Sequence, residues 1–299
     1  MTLLDSHEAS LTADRRGRDA AALAVTEHAL GDIRDGAQLG AAVARARPDV
    51  IFHLAAYKHV DWAETHPDEF MDTNLQGSWN VLRAAEASGV DTVVVASTDK
   101  AALAASFYGR TKRFMEQLTS YAAGSTGGHR CAVRLVNVLA STGSASELFL
   151  RQARAGVPLT VTDTGMRRFW ITSAHAALVL AHGALLAAEG EVLATPHDPA
   201  ELTVGELAER IWAGAGAGEP AEIELLGIRP GETLTEVLTG PGERLGGERH
   251  QGIAAIDGGA AATGPAWVAE RLEAGMAREA TRAVWREAMS RPGLLVATG

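Results

Sequence analysis

Two pairs of side chains in the segment 97–112, STDKAALAASFYGRTK, have the types and spacing of an acid–base site. Tyr108 and Lys112 are four residues apart, so on a helix they share one face. A lysine ammonium near a tyrosine stabilises the phenolate and lowers its pKa. The tyrosine can then take a proton from a hydroxyl while hydride leaves the same carbon. On its own, Tyr-x-x-x-Lys is usually only part of an amphipathic helix surface, so its place in the fold decides between the two interpretations.

Asp99 and Lys100 are the second pair, and they follow a run that is predicted to be a strand, DTVVVAS (91–97). Ligands of open α/β sheets bind at the carboxyl ends of strands, so both side chains are expected at a ligand site. An acid and a base side by side could serve opposite faces of a substrate carbon pair. The alternative is a solvated turn, which is common for an isolated Asp-Lys pair.

The elements that position these residues alternate regularly along the chain. Short runs rich in Val, Ile and Leu predict strands at 2–5, 49–55, 91–97 and 131–136. Longer segments with apolar residues at helical spacing predict helices at 35–48, 67–89 and 108–122. This alternation predicts an α/β fold, a doubly wound, Rossmann-like parallel sheet with a smaller C-terminal substrate-binding part.

The domain boundaries are predicted from where this alternation loosens. Residues 1–140 are assigned to the dinucleotide-binding domain, with elements returning to it from 157–200. Residues 141–264 are assigned mainly to the substrate-binding part, and 265–299 to a C-terminal helix and tail. The pattern of 265–289 predicts an amphipathic helix that packs on the domain or forms a homo-oligomer. The apolar run 176–188 is too short to span a membrane and predicts a buried helix.

The composition excludes several classes of protein. The 299 residues carry 27 basic and 37 acidic side chains, a net charge of −10, so no nucleic-acid partner is expected. Cys131 is the single cysteine, which excludes an internal disulfide, and its apolar surroundings predict a buried, inert thiol. His53 and His59 have no second ligand at a metal-binding spacing, so they are expected to be structural and no metal is expected. The N-terminus does not resemble a signal peptide, which favours a cytoplasmic location.

The segment 55–101, from AAYKHVDW to ASTDKA, resembles the core of the UDP-N-acetylglucosamine 4,6-dehydratases. These are polysaccharide biosynthesis enzymes among the extended short-chain dehydrogenases. The shared features are Lys-His-Val, Thr-Asn, and Ser-Thr-Asp-Lys followed by a tyrosine and a lysine. The resemblance continues through 134–144, 157–172 and 227–238 and covers most of residues 2–255. It implies an NAD(P)-dependent lyase that converts a UDP-N-acetylhexosamine to a 4-keto-6-deoxy sugar.

The resemblance also implies roles for the two pairs of residues. Tyr108, with Lys112, would deprotonate the C4 hydroxyl while NAD(P)⁺ takes the C4 hydride. Lys100 would remove the C5 proton, which the new ketone makes acidic. Asp99 would protonate the departing C6 hydroxyl, and the hydride would return to C6. Thr98 would orient the nicotinamide or the sugar.

Further residues are implied as ligand contacts by the same resemblance. The substrate-binding set is Asn137, Arg168, Arg229 and Glu236, with Arg229 and Glu236 on the uridine diphosphate side. The planar fork of an arginine suits phosphate, although each arginine could instead form a surface ion pair. The cofactor-binding set is Asp5, Asp32, Ala55, Lys58, Tyr108 and Lys112. Asp5 favours NAD over NADP through a ribose hydroxyl contact, and Lys58 could instead cap a helix.

One expected feature is absent from the start of the chain. A dinucleotide fold opens with a strand, a glycine-rich loop and a helix that holds the pyrophosphate, and no such motif precedes residue 60. The run TLLD (2–5) resembles the second strand instead. Loss of the central first strand would leave two interior edges with unpaired backbone groups. An N-terminally truncated enzyme and a non-catalytic remnant are both compatible with this.

The resemblance leaves the exact activity open. The family usually has Pro and Asn where this chain has AALAASF (101–107), so the identity of the sugar is not determined. A 4-epimerase on the same scaffold would need Tyr108 and Lys112 but not Asp99 and Lys100. The Asp-Lys pair therefore favours dehydration.

Overall fold

Strands and helices alternate in the computed structural model as the sequence pattern predicts. The structure describes residues 1–126, 128–195, 200–216, 221–250, 252–258, 264–272 and 276–290. The strands are β1 (Thr2–Asp5), β2 (Glu27–Leu30), β3 (Val50–His53), β4 (Thr92–Thr98), β5 (His129–Leu135), β6 (Asn137–Val138), β7 (Leu159–Val161), β8 (Arg167–Ile171), β9 (Val192–Ala194), β10 (Ala200–Thr203), β11 (Ile223–Leu225), β12 (Glu243–His250) and β13 (Ile253–Gly258).

The helices connect these strands, and one of them is interrupted by a π-helical turn. They are α1 (Glu8–Gly17), α2 (Ala20–Ala24), α3 (Gly36–Ala46), α4 (Val60–Thr65), α5 (Pro67–Phe70), α6 (Gly77–Ala87), α7 (Lys100–Leu103), α8 (Phe107–Thr126), α9 (Ala145–Ala155), α10 (Ser173–Leu186), α11 (Val204–Gly214), α12 (Gly264–Arg271) and α13 (Arg278–Ser290). The helix predicted at 67–89 is therefore continuous in direction but passes through the π-helical segment Met71–Gln76 between α5 and α6.

Among the described residues, six strands form the main sheet, in the order β12-β13-β9-β5-β4-β3. The strands β3, β4, β5 and β9 run parallel, and β13 and β12 add an antiparallel edge. Val93, Val94 and Val95 of β4 are fully buried, which is typical of a parallel strand with helices on both faces. Side chains of α6 and α8 cover one face, and side chains of α10 cover the other. The prediction of a doubly wound α/β fold is confirmed.

The first two strands form a sheet of their own. β1 and β2 pair in parallel, and β3 is an edge strand of the main sheet. Val50 and Phe52 on β3 remain 37% and 46% exposed. β1 and β3 therefore each have one unpaired edge, as the sequence predicts. Among the described residues, no strand lies between them.

The smaller C-terminal part is built from two short sheets and two helices. One sheet has the order β10-β8-β6, and the other pairs β11 with β7. Phe149, Leu159 and Trp212 form a separate apolar core with residues of α9 and α11. The division of the chain at 140 and 264 stays a prediction, and β12 and β13 join the main sheet although they lie within 141–264. These antiparallel strands follow no crossover helix, so the strand–helix alternation gave no signal for them.

Two helix predictions need correction. The single helix expected at 265–289 is two helices, α12 and α13, and Trp285 of α13 is fully buried in the main core. The buried helix expected at 176–188 is α10, which is apolar all round but leaves Leu185 78% exposed. Its inner face packs on β4 and β5, and nothing in the described structure covers the outer face. No helix in the described part of the chain has the length and apolarity needed to cross a membrane.

Candidate active site

The carboxyl end of β4 places two predicted residues, Asp99 and Lys100, in the lining of a cavity, and a third, Thr98, beside Asp99. The cavity has a volume of about 300 Å³, and its lining includes Asp99, Lys100, Asn137, Arg168 and Arg229. Asp99 is 2% exposed and Thr98 is 8% exposed. The alternative of a solvated turn is therefore wrong for Asp99.

The carboxyl group of Asp99 is held by Thr98, Lys100 and Glu236. Its Oδ1 accepts a hydrogen bond from the Thr98 hydroxyl at 2.8 Å and lies 3.3 Å from the Lys100 Nζ. Its Oδ2 is buried and accepts no hydrogen bond from a described N–H or O–H donor, and the carboxyl group shares a hydrogen bond with that of Glu236. Burial raises the pKa of Asp99 to about 7, against the lowering effect of Lys100 and with the help of the nearby Glu236 charge. Such a carboxyl group can act as a proton donor near neutral pH.

Lys100 lies between acidic partners. Its Nζ is 2.6 Å from Glu236 Oε1, 3.3 Å from Asp99 Oδ1 and 3.3 Å from Asn137 Oδ1. Burial opposes the ammonium form, but Asp99 and Glu236 raise the pKa of Lys100 above its ordinary value. Lys100 is therefore a cation in this structure rather than a free amine.

Tyr108 and Lys112 lie near the start of α8, as predicted. Ser106 Oγ accepts a hydrogen bond from the Gly109 backbone at 3.0 Å, and Glu64 accepts one from Phe107 at 2.6 Å, which together cap this helix. Gly109 is required by packing, because a Cβ at this position would collide with the carbonyl oxygen of Lys100. The sequence YGRTK thus allows α8 to approach α7 closely.

The expected lowering of the Tyr108 pKa by Lys112 is wrong for this structure. The Lys112 ammonium donates to the Ala96 carbonyl at 2.9 Å, and burial lowers its pKa to about 8. Burial raises the pKa of Tyr108 to about 12, and Lys100 is the cation that opposes the rise. Tyr108 is 6% exposed, lies outside the described cavity lining, and its ring packs edge-on against Phe70. Helical spacing placed both residues on one helix but did not bring the ammonium to the phenol.

The four predicted substrate contacts separate into two groups. Glu236 is 5% exposed and contacts Lys100, Arg168 and Asn137. Two cations hold this carboxylate in the cluster around Lys100, and its expected place beside Arg229 on a diphosphate stays a prediction. Arg229 is instead exposed and contacts only Asp61 among its described ion pairs, at 3.5 Å.

Arg168 is buried, so the alternative of a surface ion pair is wrong for it. Its Nε is 3.1 Å from Glu236 Oε1, and its Nη2 donates to the Thr233 carbonyl at 2.8 Å. Most of its hydrogen-bonding capacity is thus used within the protein. Asn137 donates to the Phe169 carbonyl as well as to Glu236.

The residues predicted to bind a dinucleotide lie in two places, and their role stays a prediction. Asp5 ends β1 and Asp32 follows β2, and because the two strands are paired in parallel, both residues lie at the carboxyl end of that sheet. Asp5 accepts a hydrogen bond from the His7 backbone, and Asp32 forms a 2.6 Å ion pair with Arg34. Tyr108 and Lys112 lie in the second place, beside β4. The helix after β1 begins with Glu8 in its first turn, which does not suit a pyrophosphate, and no glycine loop precedes it in the described chain.

The loop after β3 contains Ala55 and Lys58 and is tied to its surroundings. Lys58 Nζ donates to the Thr142 carbonyl at 2.6 Å, so it bridges two loops at the cavity and does not cap a helix. Asn74 in the π-helical segment exchanges hydrogen bonds with the Tyr57 backbone at 2.8 and 3.0 Å, and donates to Thr111 at 3.2 Å. The sequence analysis missed this clamp. A fully buried asparagine within an apolar helical pattern is the signal that could have indicated it.

The remaining titratable residues of the core have structural roles. His53 is buried, contacts Ser78 Oγ at 2.8 Å, and has its pKa lowered to about 3 by burial. Cys131 is fully buried, as predicted, and burial raises the pKa of its thiol to about 12. No group of His, Cys, Asp and Glu side chains in the described residues could hold a metal ion.

Comparison with known proteins identifies a family whose members are similar to this chain over most of its length. The model of the family described as polysaccharide biosynthesis protein matches residues 1–257. The probable polysaccharide biosynthesis protein EpsC of Bacillus subtilis is 35% identical over 216 residues, which are 72% of this chain and 36% of EpsC. An inverting UDP-N-acetylglucosamine 4,6-dehydratase of Campylobacter jejuni is 32% identical over 213 residues, 70% of this chain and 61% of that protein.

Two further similarities concern related activities. A UDP-glucose 4-epimerase of Rickettsia akari is 33% identical over 214 residues, 70% of this chain and 60% of the epimerase. The structure of DesIV, a dTDP-glucose 4,6-dehydratase from Streptomyces venezuelae with NAD bound, matches with a TM-score of 0.64. It is 26% identical and covers 80% of this chain and 78% of DesIV. The chain spans between 36% and 61% of the length of the three relatives compared by sequence.

Proposed function

The chain belongs to the polysaccharide biosynthesis protein family, and from that premise we propose that it carries the site of a nucleotide-sugar 4,6-dehydratase. The observation that carries the proposal is the contact between buried Asp99 and partly buried Lys100 at the carboxyl end of β4, in a cavity close to Tyr108. Dehydration of a sugar needs one group that takes the C5 proton and another that protonates the leaving hydroxyl at C6. Asp99 and Lys100 are an acid and a base within 3.3 Å of each other.

Three residues of the chain carry out the proton transfers of the proposed reaction. Tyr108 accepts the proton of the C4 hydroxyl, and the positive charge of Lys100 opposes the effect of burial on the phenol. Lys100 takes the C5 proton in its amine form, and Asp99, with a pKa of about 7, gives a proton to the departing C6 hydroxyl. A bound nicotinamide would supply the hydride acceptor at C4 and the hydride donor at C6.

The substrate proposed for this site is a UDP-N-acetylhexosamine, and the cofactor is NAD or NADP. Support for the substrate comes from the C. jejuni relative and from the cations at the cavity. Arg229 is 46% exposed at its side chain and holds its partner at 3.5 Å, so it is free to take up a diphosphate. Arg168 is tied to Glu236 and is the weaker candidate. DesIV, whose structure contains NAD, supports a nicotinamide cofactor, and Asp5 favours NAD.

A 4-epimerase is the second candidate, because the R. akari epimerase is as similar to this chain as the C. jejuni dehydratase. Epimerisation needs Tyr108 and the cofactor, and it leaves the C6 hydroxyl in place. Asp99 and Lys100 would then have no chemical task. Their contact at 3.3 Å in the lining of the cavity is the reason to prefer dehydration.

The test is to incubate the 299-residue chain with NAD⁺ or NADP⁺ and UDP-N-acetylglucosamine, and to identify the product by mass spectrometry. A product lighter by one water supports the proposal. An isomer of the substrate overturns it in favour of epimerisation, and saturable cofactor binding without any product overturns it in favour of a non-catalytic protein.

The matched variants for this assay lie at the two ends of one strand. Asp99→Asn is expected to reduce water loss by at least ~100-fold, because the general acid is removed. Asp91→Asn, at the exposed amino end of β4, is expected to leave the rate unchanged. Equal rates for Asp99→Asn and the unaltered chain would remove Asp99 from the mechanism.

A further inference from the structure

Glu236 is a buried carboxylate that three side chains hold on both of its oxygens. Its Oε1 is 2.6 Å from Lys100 Nζ and 3.1 Å from Arg168 Nε, and its Oε2 accepts from Asn137 at 2.7 Å. Its side chain is 3% exposed. Burial opposes the charged form, but Lys100, a hydrogen bond with Asp99, and Arg168 lower the pKa of Glu236 to about 2. The carboxylate is therefore a fixed negative charge within the acid–base cluster.

The surroundings of Lys100 require its ammonium form. A lysine ammonium has three donors and no acceptor. The three contacts of Lys100 Nζ are with oxygen acceptors, on Glu236, Asp99 and Asn137, and the contact with Glu236 is the shortest. When its phenol ionises, Tyr108 also raises the pKa of Lys100. The remaining charged group of the cluster, Arg168, contacts the same Glu236 oxygen as Lys100, at 3.1 Å.

From this geometry we infer that Glu236 is a positioning residue that holds Lys100 as an ammonium ion in the ligand-free protein. The consequence for catalysis rests on the proposed function: Lys100 becomes a base only after it gives its proton to Asp99. In that transfer an N–H bond of Lys100 breaks and an O–H bond forms on Asp99. The products are a neutral amine and a neutral acid, and no other reactant is needed.

The structure supplies an acceptor for that proton and a second partner for Glu236. The carboxyl group of Asp99 lies beside the ammonium, with Oδ1 3.3 Å from Lys100 Nζ, and it shares a hydrogen bond with the carboxyl group of Glu236. Arg168 contacts the same oxygen of Glu236 as Lys100 does, so the carboxylate keeps a cation when Lys100 turns to the substrate. A single proton transfer thus prepares both the base and the acid of the elimination.

The protonation of Lys100 can be measured directly, because the chain contains only three lysines, Lys58, Lys100 and Lys112. Protein labelled with ¹³C-lysine would give three side-chain signals, which Lys58→Arg and Lys112→Arg variants assign. The Lys100 signal is expected to stay in its ammonium position at pH values where an ordinary lysine, with a pKa of about 10.4, has lost its proton. In Glu236→Gln its pKa is expected to fall by at least ~1 unit, because an adjacent opposite charge is removed. Glu201→Gln, which removes an exposed carboxylate bonded to Arg167, is the control.

Two results would overturn the inference. One is a Lys100 signal in the unaltered protein that titrates at or below the ordinary lysine value of about 10.4, a result that needs no variant. The other is an unchanged Lys100 pKa in a folded Glu236→Gln protein, with the Lys58 and Lys112 signals reporting the fold. The measurement uses neither substrate nor cofactor, so failure of the dehydratase assay would leave its outcome unaffected.

Discussion

Arg134 and Glu116 form a buried two-point ion pair: Nε lies 2.7 Å from Oε1, and Nη2 lies 2.7 Å from Oε2. The pair joins β5 to α8, one helical turn after Lys112. Ser97 donates to the same carboxylate at 2.6 Å, and Glu243 of β12 binds the other side of Arg134 at 2.7 Å. The network therefore connects the end of β4, the helix α8 and the antiparallel edge of the main sheet.

The first prediction concerns the stability that this pair provides. Glu116→Ala removes one of the two carboxylates that hold Arg134, whose side chain is 0% exposed, and leaves Glu243 as the single carboxylate for both Arg134 and Arg113. The expected loss in the free energy of unfolding is about 3–5 kcal/mol. Denaturant unfolding monitored by tryptophan fluorescence measures it.

The control for this variant is Glu86→Ala, which removes a carboxylate from the exposed pair with Arg83 on α6. That change is expected to cost about 0–1 kcal/mol, because water screens the charges. Similar losses for the two variants would contradict a special role for the buried pair.

The second prediction concerns pH and His53. Burial lowers the pKa of His53 to about 3 in the folded protein, whereas the value in the unfolded chain is near 6.5. The contribution of the neutral imidazole is therefore complete above about pH 6.5 and is lost as the pH falls toward 3. Within that window the unfolded chain binds the extra proton, and the expected slope is up to ~1.4 kcal/mol per pH unit.

The measurement is the free energy of unfolding between pH 7 and pH 4 for the unaltered protein and for His53→Gln. The variant is expected to lose part of the slope, whatever its stability at pH 7. His175→Gln replaces an exposed histidine on α10 and is expected to keep the full slope. If His53→Gln and His175→Gln show the same pH dependence, the buried imidazole is not its source.

The sequence predicts the local parts of this site well. The hydrophobic periodicity alone predicts that Asp99 and Lys100 follow β4. It also predicts that Tyr108 and Lys112 lie on the helix α8. The partners that set their charges do not, because Glu236 is 99 positions from Asn137 and reaches the cluster only through the folded C-terminal part. The burial that raises the pKa of Tyr108 likewise depends on the packing of Phe70, which local spacing does not encode.

The third prediction concerns the attachment of the C-terminal helix α13. Arg282 donates from Nη2 to Asp72 at 2.6 Å and to Glu69 at 2.9 Å, and its side chain is 15% exposed. Arg282→Ala is expected to reduce the free energy of unfolding by about 2 kcal/mol, since several charge-assisted hydrogen bonds are lost. Arg286→Ala serves as the comparison, because Arg286 pairs with Asp68 on the same surface and is 45% exposed. A loss for Arg286→Ala as large as that for Arg282→Ala would count against the argument from burial.

The last prediction concerns Tyr108 as the group that receives the C4 proton. Tyr108→Phe removes one hydroxyl and keeps the ring that packs against Phe70, so the fold is expected to be retained. Turnover with a nucleotide sugar is expected to fall by about 10²–10⁴-fold, the usual contribution of a positioned general base.

The matched control is Tyr121→Phe, which removes a hydroxyl from the same helix, α8, on its core-packed part away from the cavity. Its turnover is expected to equal that of the unaltered chain. A Tyr108→Phe protein with undiminished turnover would show that another group takes the C4 proton.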